Sequence, residues 1–367
     1  MKFVPREYQK IAIDWIKDKP RSALFLQPGL GKTSTVLSTL DTFPVLIIAP
    51  LRVAQTTWPD EIKKWDEFSH LTVSIMTGAK AKREAALETE ADIYTINFEN
   101  LPWLVETLGN KWPFKTVVAD ELTKLKSFRL RQGGKQARAL GRVAFTGIKR
   151  FIGLTGTPSP NNLTDLWGQM WFLDKGERLG RTFSIFTETY FNIAYDGFSL
   201  EPKEGAAAKI QNAIADLCLS IDPSRYFPTE LPIVSTIAVD LPAKARVKYD
   251  EMLKEMYTEI NDVGIEAFNA ASKTIKCLQI SSGAIYTEDG YEVLHDEKLK
   301  ALEEIIEETS SPILVSYQFK SDLERLMKHF PKGRVLDKDP QVITDWNAGK
   351  IPLLFAHPAS AGHGLSL

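Results

Sequence analysis

The sequence predicts an α/β protein of two units, each built on a parallel sheet, with a mostly helical stretch between them. Three observations carry this. Short apolar runs, Val45-Leu46-Ile47-Ile48-Ala49, Val117-Val118-Ala119 and Leu353-Leu354-Phe355-Ala356, read as strands, and unbroken apolarity marks a strand covered on both faces. Segments with helical spacing follow several of them, as in Ser321 to Phe330. Between the apolar run Ala23 to Leu26 and the helical segment Thr33 to Leu40 lies Gln27-Pro28-Gly29-Leu30-Gly31-Lys32-Thr33, the order strand, glycine loop, helix that a phosphate-binding loop requires. A length of 367 residues makes two domains the natural expectation, and 44% apolar residues suffice for real cores.

The loop organises the rest. Gly29 and Gly31 let backbone N–H groups turn inward around phosphate oxygens, and the helix start adds partial positive charge. Lys32 is expected to reach the β- and γ-phosphates and the Thr33 hydroxyl to hold Mg²⁺, with Leu30 and Ser34 completing the nucleotide-binding stretch. Leu26 stands where this loop pattern calls for a small residue. Upstream, Arg6-Glu7-Tyr8-Gln9 opens an amphipathic helix through Ile11, Ile13, Trp15 and Ile16. A capped surface helix is the plain reading. Its place before a phosphate loop favours Gln9 reading an adenine edge, with Arg6 stacking on the base.

Taken in order, Val45 to Ala49 ends at Pro50-Leu51-Arg52, at the carboxyl end of a strand, where open α/β sheets place their ligands. A helix with Trp58, Ile62 and Trp65 comes next, then strands at Val73 to Met76, closed by Thr77-Gly78, and at Asp92 to Asn97. Val117-Val118-Ala119-Asp120-Glu121 delivers two adjacent carboxylates. In phosphoryl transfer the first would hold Mg²⁺, and the second would orient and deprotonate the attacking water. From Lys124 to Arg150 nine Lys or Arg residues occur with no Asp or Glu, including Lys124, Lys126, Arg129 and Arg131. A solvated loop and helix is one reading, and a patch that neutralises nucleic-acid phosphates is the other. Arg150 to Thr155 is a strand, and Thr155-Gly156-Thr157 offers hydroxyls on a turn that can link the nucleotide site to a neighbouring domain.

Gln9, Gly-Leu-Gly-Lys-Thr at 29 to 33, Ala-Pro-Leu-Arg at 49 to 52, Asp120-Glu121 and Leu-Thr-Gly-Thr-Pro at 154 to 158 together resemble a superfamily-two helicase core. More narrowly the chain resembles the Swi/Snf family of DNA-dependent ATPases, in particular its small phage and bacterial members. The resemblance implies two RecA-like lobes with a nucleotide cleft between them, ATP and Mg²⁺ as ligands, and double-stranded DNA as partner. It implies DNA contacts at Arg52, Thr77 and Gly78, beside the basic run whose charge already favours nucleic acid over a solvated loop. It also makes Pro358 to Leu367 similar to the fifth helicase motif, with Ser360 and Gly362 near DNA. Two departures stand out: the phosphate loop begins Leu26-Gln27-Pro28 rather than Asp-Glu-Met, and Thr123 stands where the family has His after its carboxylates.

The domains are expected at 1–175, an ATP-binding lobe, 176–290, a helical insertion, and 291–367, a partial second lobe. Within the insertion, Pro232 to Leu241 reads as a strand and Ala243 to Ile260 as one amphipathic helix. The sixth helicase motif, with its arginines, is not in the sequence, which makes the chain a fragment on this reading. A net charge of −2 confines nucleic-acid contact to local patches, and two distant cysteines, Cys218 and Cys277, point to a reducing compartment. No signal-peptide pattern and no membrane-length apolar run occur, so a cytoplasmic protein is expected, or a nuclear one in a eukaryote. His357 and His363 have no metal-ligand spacing. Two rivals stay open: a nucleotide-gated DNA-binding module with little turnover, and an RNA or single-strand helicase of the DEAD or DEAH type.

Overall fold

The computed structural model describes residues 1–159, 162–195, 197, 199–226, 234–260, 263–309, 311–337 and 339–361. They fall into two compact units, one within residues 1–226 and one within 234–361.

The first unit is a seven-stranded sheet. Its strands are β1 (Arg21–Phe25), β2 (Val45–Ala49), β3 (Val73–Met76), β4 (Ile93–Asn97), β5 (Thr116–Asp120), β6 (Arg150–Thr155) and an edge strand, Cys218–Ser220. The order is β3-β4-β2-β5-β6-β1 and then the edge strand, and every pair is parallel. The apolar runs explain this. Side chains alternate across a strand, so Leu46 and Ile48 enter one hydrophobic cluster with Val117, Ala119 and Phe151. Val45, Ile47 and Ala49 enter the other with Val118, Ile152 and Leu154. Helices cover both faces. Helix α1 (Glu7–Asp18) and helix α2 (Lys32–Leu37) lie on the second face with α3 (Trp58–Lys64), while Asp165–Asp174 covers the first. Sheets of this kind leave their functional residues at the carboxyl ends of the strands.

Two tryptophans of Asp165–Asp174, Trp167 and Trp171, pack in the first cluster beside Phe128. The segment that follows holds a helix, Phe183–Tyr190, and a short antiparallel pair, Phe191–Ile193 with Leu200–Pro202.

The second unit contains two arrangements. One packs the helices Ala243–Glu255 and Ala270–Ser282 with an antiparallel pair, Tyr257–Ile260 and Val263–Glu266. The single helix expected over 243–260 therefore stops early: Met256 adopts a left-handed conformation (φ 56°) that ends it, and the β-branched alternation beyond pairs as a strand. Of the strand expected over Pro232 to Leu241, residues 232–233 lie outside the described residues and 234–241 carry no regular structure. The other arrangement is a parallel three-stranded sheet in which Leu353–Ala356 lies between Ile313–Ser316 and Arg334–Val335.

Candidate active site

Gly29 (φ 83°) and Gly31 (φ 66°) turn the chain left-handed between β1 and α2. The left-handed backbone at Gly31 favours glycine, and a Cβ there would also meet the Gln9 amide nitrogen at 2.7 Å and push that side chain aside. Gln9 is buried. Its Nε2 donates to Thr35 Oγ1 at 3.2 Å and to the Gly31 carbonyl at 3.4 Å, while its Oε1 accepts from the Arg6 N–H at 3.0 Å. The Tyr8 hydroxyl donates to the Leu30 carbonyl at 3.3 Å. Helix α1 thus clamps the loop from behind. Leu26 is fully buried in the second hydrophobic cluster, which accounts for a large residue where the loop pattern calls for a small one. Lys32 Nζ donates to the carbonyls of Leu26, at 2.9 Å, and Gln27, at 3.3 Å. Burial lowers its pKa, and Asp120 and Glu121 oppose that shift.

Strand β5 ends at Asp120, and Glu121 follows in a left-handed conformation (φ 79°). The Glu121 N–H donates to the Leu154 carbonyl at 2.9 Å. Its Oε1 accepts from the Thr155 hydroxyl at 3.1 Å and from the Thr123 hydroxyl. Thr123, at the family's His position, therefore engages the second carboxylate. Thr155 Oγ1 accepts in turn from the Thr157 N–H at 3.2 Å. The same turn meets the phosphate loop: Leu26 N–H donates to the Thr155 carbonyl at 3.0 Å, and a Cβ on Gly156 would lie 3.1 Å from Pro28. Asp120 accepts from the Trp58 indole N–H at 2.9 Å. Crowding by surrounding atoms pushes the Asp120 carboxyl up to about 6, although part of its surface stays open. The indole and Lys32 pull it down, and Glu121 adds to the rise.

The structure brings Gln9, the loop, Asp120, Glu121, Thr155, Gly156 and Thr157 to the carboxyl ends of neighbouring strands or directly behind them. Thr33 is partly exposed and Arg6 exposed. Ser34 is buried with its hydroxyl donating to the Gly31 carbonyl at 3.1 Å. The expected nucleic-acid contacts are more scattered. Arg52 is partly buried and Gly78 exposed, while Thr77 is buried and accepts from Gln55 Nε2 at 3.1 Å. In the basic run, Lys124 and Arg131 are exposed. Lys126 pairs with Asp165 at 3.2 Å, and Arg129 lies 3.4 Å over the Phe183 ring while donating to the Lys126 and Phe128 carbonyls. Part of that run therefore serves internal packing. Gly362 and the Ser360 side chain lie outside the described residues. Sequence reasoning missed Tyr8 and Trp58 in the site. Both are helix aromatics to which the sequence attaches no chemistry of their own. The polar tip that a buried Tyr or Trp must satisfy is the only signal that could have found them.

A parallel sheet that presents a glycine loop with Lys32, two adjacent carboxylates and a Thr-Gly-Thr turn at one edge defines a helicase-like nucleotide-binding domain. This chain belongs to the SNF2-related domain family, whose model matches residues 8–282. It is 50% identical to putative protein p41 of Acyrthosiphon pisum secondary endosymbiont phage 1, over 100% of this chain and 83% of that one. It is 26% identical to an uncharacterized ATP-dependent helicase of Mycoplasma genitalium, over 76% of this chain and 26% of the relative. With helicase domino of Drosophila melanogaster it shares 29% over 46% of this chain, but only 5% of that much longer protein. Among solved structures, the Sulfolobus solfataricus SWI2/SNF2 ATPase core in complex with dsDNA superposes with a TM-score of 0.50 at 20% identity, covering 97% of this chain and 78% of that one. The fold is therefore that of a SWI2/SNF2 ATPase core. Among the described residues no helix is long and apolar enough to cross a membrane.

Proposed function

We propose that the chain is an ATPase that couples ATP hydrolysis to movement along double-stranded DNA without separating the strands. The observation that carries this reading is the convergence of Lys32, Asp120, Glu121 and Thr155 at the carboxyl ends of β1, β5 and β6. The donor set fits ATP with Mg²⁺. The first α2 bond runs from Thr35 N–H to the Gly31 carbonyl, so the N–H groups of Lys32, Thr33 and Ser34 precede the helical ladder and have no intrahelical acceptor, which leaves them to donate to a phosphate when one is bound. Mg²⁺ binds through one or two carboxylates plus substrate phosphates, and Asp120 with the Thr33 hydroxyl supplies that small set without a larger acidic cluster. When bound, the ion would neutralise charge that develops on the phosphates.

Lys32 is held on loop carbonyls by bonds that a phosphate oxygen can replace, and burial of its ammonium strengthens its pull on an anion. Glu121 accepts two hydroxyl bonds on Oε1, which fix the direction of its carboxylate. It orients the attacking water and takes its proton. Thr155 joins that carboxylate to the turn through Gly156 and Thr157, the path by which the state of the site reaches the rest of the protein. Gln9, with its amide turned onto the loop, supports the loop, and its proposed reading of adenine requires the amide to exchange these bonds for the base edge. Duplex DNA is the proposed track, because the structurally similar SWI2/SNF2 core is a dsDNA complex. Arg52, Thr77, Gly78, Lys124 and Arg131 are the proposed backbone contacts, with Lys126 and Arg129 supporting them; Ser360 and Gly362 are proposed as DNA contacts on the resemblance of their motif alone.

The test is ATP turnover with no nucleic acid, duplex DNA, single-stranded DNA or structured RNA, over a salt series. Stimulation by duplex alone, fading with salt, is expected. Stimulation by RNA or single strands instead would overturn the duplex assignment. Glu121→Gln should lower turnover by about 10²–10⁴ while a fluorescent ATP analogue still binds. Unchanged turnover in that variant would remove Glu121 from the chemistry.

A further inference from the structure

The indole N–H of Trp58 has no place in the reading above, although it donates to Asp120 Oδ2 at 2.9 Å. Trp58 is completely buried, packed in the cluster that also holds Ala49, Val53, Ala54, Ile62 and Val118. Such a ring cannot swing, so its N–H is a fixed direction in space. Asp120 Oδ2 is tied to that direction, which sets the plane of the carboxylate.

What places Trp58 is unusual. Residues Val53–Thr57, after Pro50-Leu51-Arg52, form a π-helical turn, and Trp58 begins α3 directly beyond it. Turns of this width hold one extra residue, which rotates everything downstream by about 100° relative to an α-helix. A side chain that bonds into the helical ladder is a known cause of such distortion, and one is present: the fully buried Thr95 hydroxyl of β4 donates to the Ala54 carbonyl at 2.7 Å. The turn is gripped on its other side as well. Gln55 Nε2 donates to Thr77 Oγ1 at 3.1 Å, while within the helical segment itself the Thr56 hydroxyl donates back to the Arg52 carbonyl at 2.9 Å.

The structure assigns Trp58 as a positioning residue: its indole N–H orients the Asp120 carboxylate and ties it, through the π-helical turn, to the segment that carries Arg52 and to Thr77. The inference rests on the reading of Asp120 as the Mg²⁺-binding carboxylate and of Arg52 and Thr77 as contacts to duplex. A displacement of either contact moves the turn, and the rigid indole delivers that movement to Asp120. The link from track to metal thus runs within one unit, from β2 and β3 to β5.

The full chain with Trp58→Phe, and a second version with 3-benzothienylalanine at position 58, test this. Both lack the N–H, and the second keeps the ring shape, so it decides the matter if the Phe variant does not fold. Binding of a fluorescent ATP analogue is followed by anisotropy, in EDTA and across a Mg²⁺ titration, with and without duplex DNA. Loss of one hydrogen bond to a charged group predicts a rise of about tenfold in half-saturating Mg²⁺, with binding in EDTA unchanged. Duplex should shift the Mg²⁺ half-point of the natural chain, and this shift should shrink in both altered chains and in Gln55→Ala. An unchanged Mg²⁺ titration overturns the assignment. So does an equal weakening in EDTA and Mg²⁺, which would mean that Trp58 only supports the fold. If the natural chain binds the analogue equally with and without Mg²⁺, the role of Asp120 itself fails, and the assignment of Trp58 fails with it.

Discussion

The two parallel sheets are written in similar residues yet end in different surroundings. Val45–Ala49 of the first unit is buried at all five positions. Ile313–Ser316 of the second alternates between partly buried and exposed, with Leu314 46% exposed. A continuous apolar run therefore predicts a strand, but not that both faces are covered. Coverage depends on how many helices the rest of the chain supplies to each face. The difference matters for the site. Asp120, Glu121 and Thr155 hang from strands whose every neighbour is packed, so their spacing is held by two hydrophobic clusters.

The contrast can be broken by matched truncations. Ile47→Ala, in the fully buried strand, should cost about 2–5 kcal/mol. Leu314→Ala, at a half-open position, should cost well under that and stay within about 1 kcal/mol. Urea unfolding followed by amide hydrogen exchange of each strand reads the two separately. Equal costs would mean that Leu314 is covered in solution. Next in size is Gly31→Ala. A left-handed alanine costs roughly 1–2 kcal/mol, and its Cβ would also displace the Gln9 amide. Thermal melting should register the first effect, and a weakened grip on an ATP analogue the second. The smallest effect belongs to the second unit. His295 is buried, with Nε2 against the Ile280 carbonyl at 2.9 Å and Nδ1 accepting from the Glu297 N–H at 3.4 Å. Burial depresses its pKa, the Ile280 bond opposes this, the Arg325 guanidinium adds to the depression, and Glu297 and Asp296 also oppose it. A base that stays neutral when folded binds fewer protons than the unfolded chain just below its ordinary pKa. Stability of this unit is therefore full above about pH 6.5 and declines as pH falls below it. Thermal melts from pH 8 to 5 should show this decline, flattened in His295→Gln, while amide exchange in the first unit does not share it.

Much of the site was legible because its residues are tied to local grammar. A left-handed turn selects glycine at 29 and 31, a buried strand selects Val117-Val118-Ala119, and the carboxylates sit where that strand ends. What escaped depends on contacts distant in sequence. Trp58 meets Asp120 across 62 residues, and the Thr95 hydroxyl reaches the Ala54 carbonyl across 41. Neither the π-helical turn nor its consequences have a local signature. The internal partners of the basic run were hidden for the same reason. Arg129 and Lys126 look like free cations in one dimension, and their partners, Phe183 and Asp165, lie a helix away. The end of the helix at Glu255 was hidden because the sequence around Met256 keeps helix-compatible spacing while the chain turns left-handed there.

Glu121 holds a backbone conformation that suits asparagine or glycine better than glutamate. An engineer ranking substitutions of this chain by melting temperature would therefore find position 121 among the attractive ones, and the most heat-tolerant variants would be those that had lost the carboxylate proposed as the general base. Thermostabilising this protein calls for that position to be frozen at the outset, together with Thr123 and Thr155, whose hydroxyls hold the carboxylate in place.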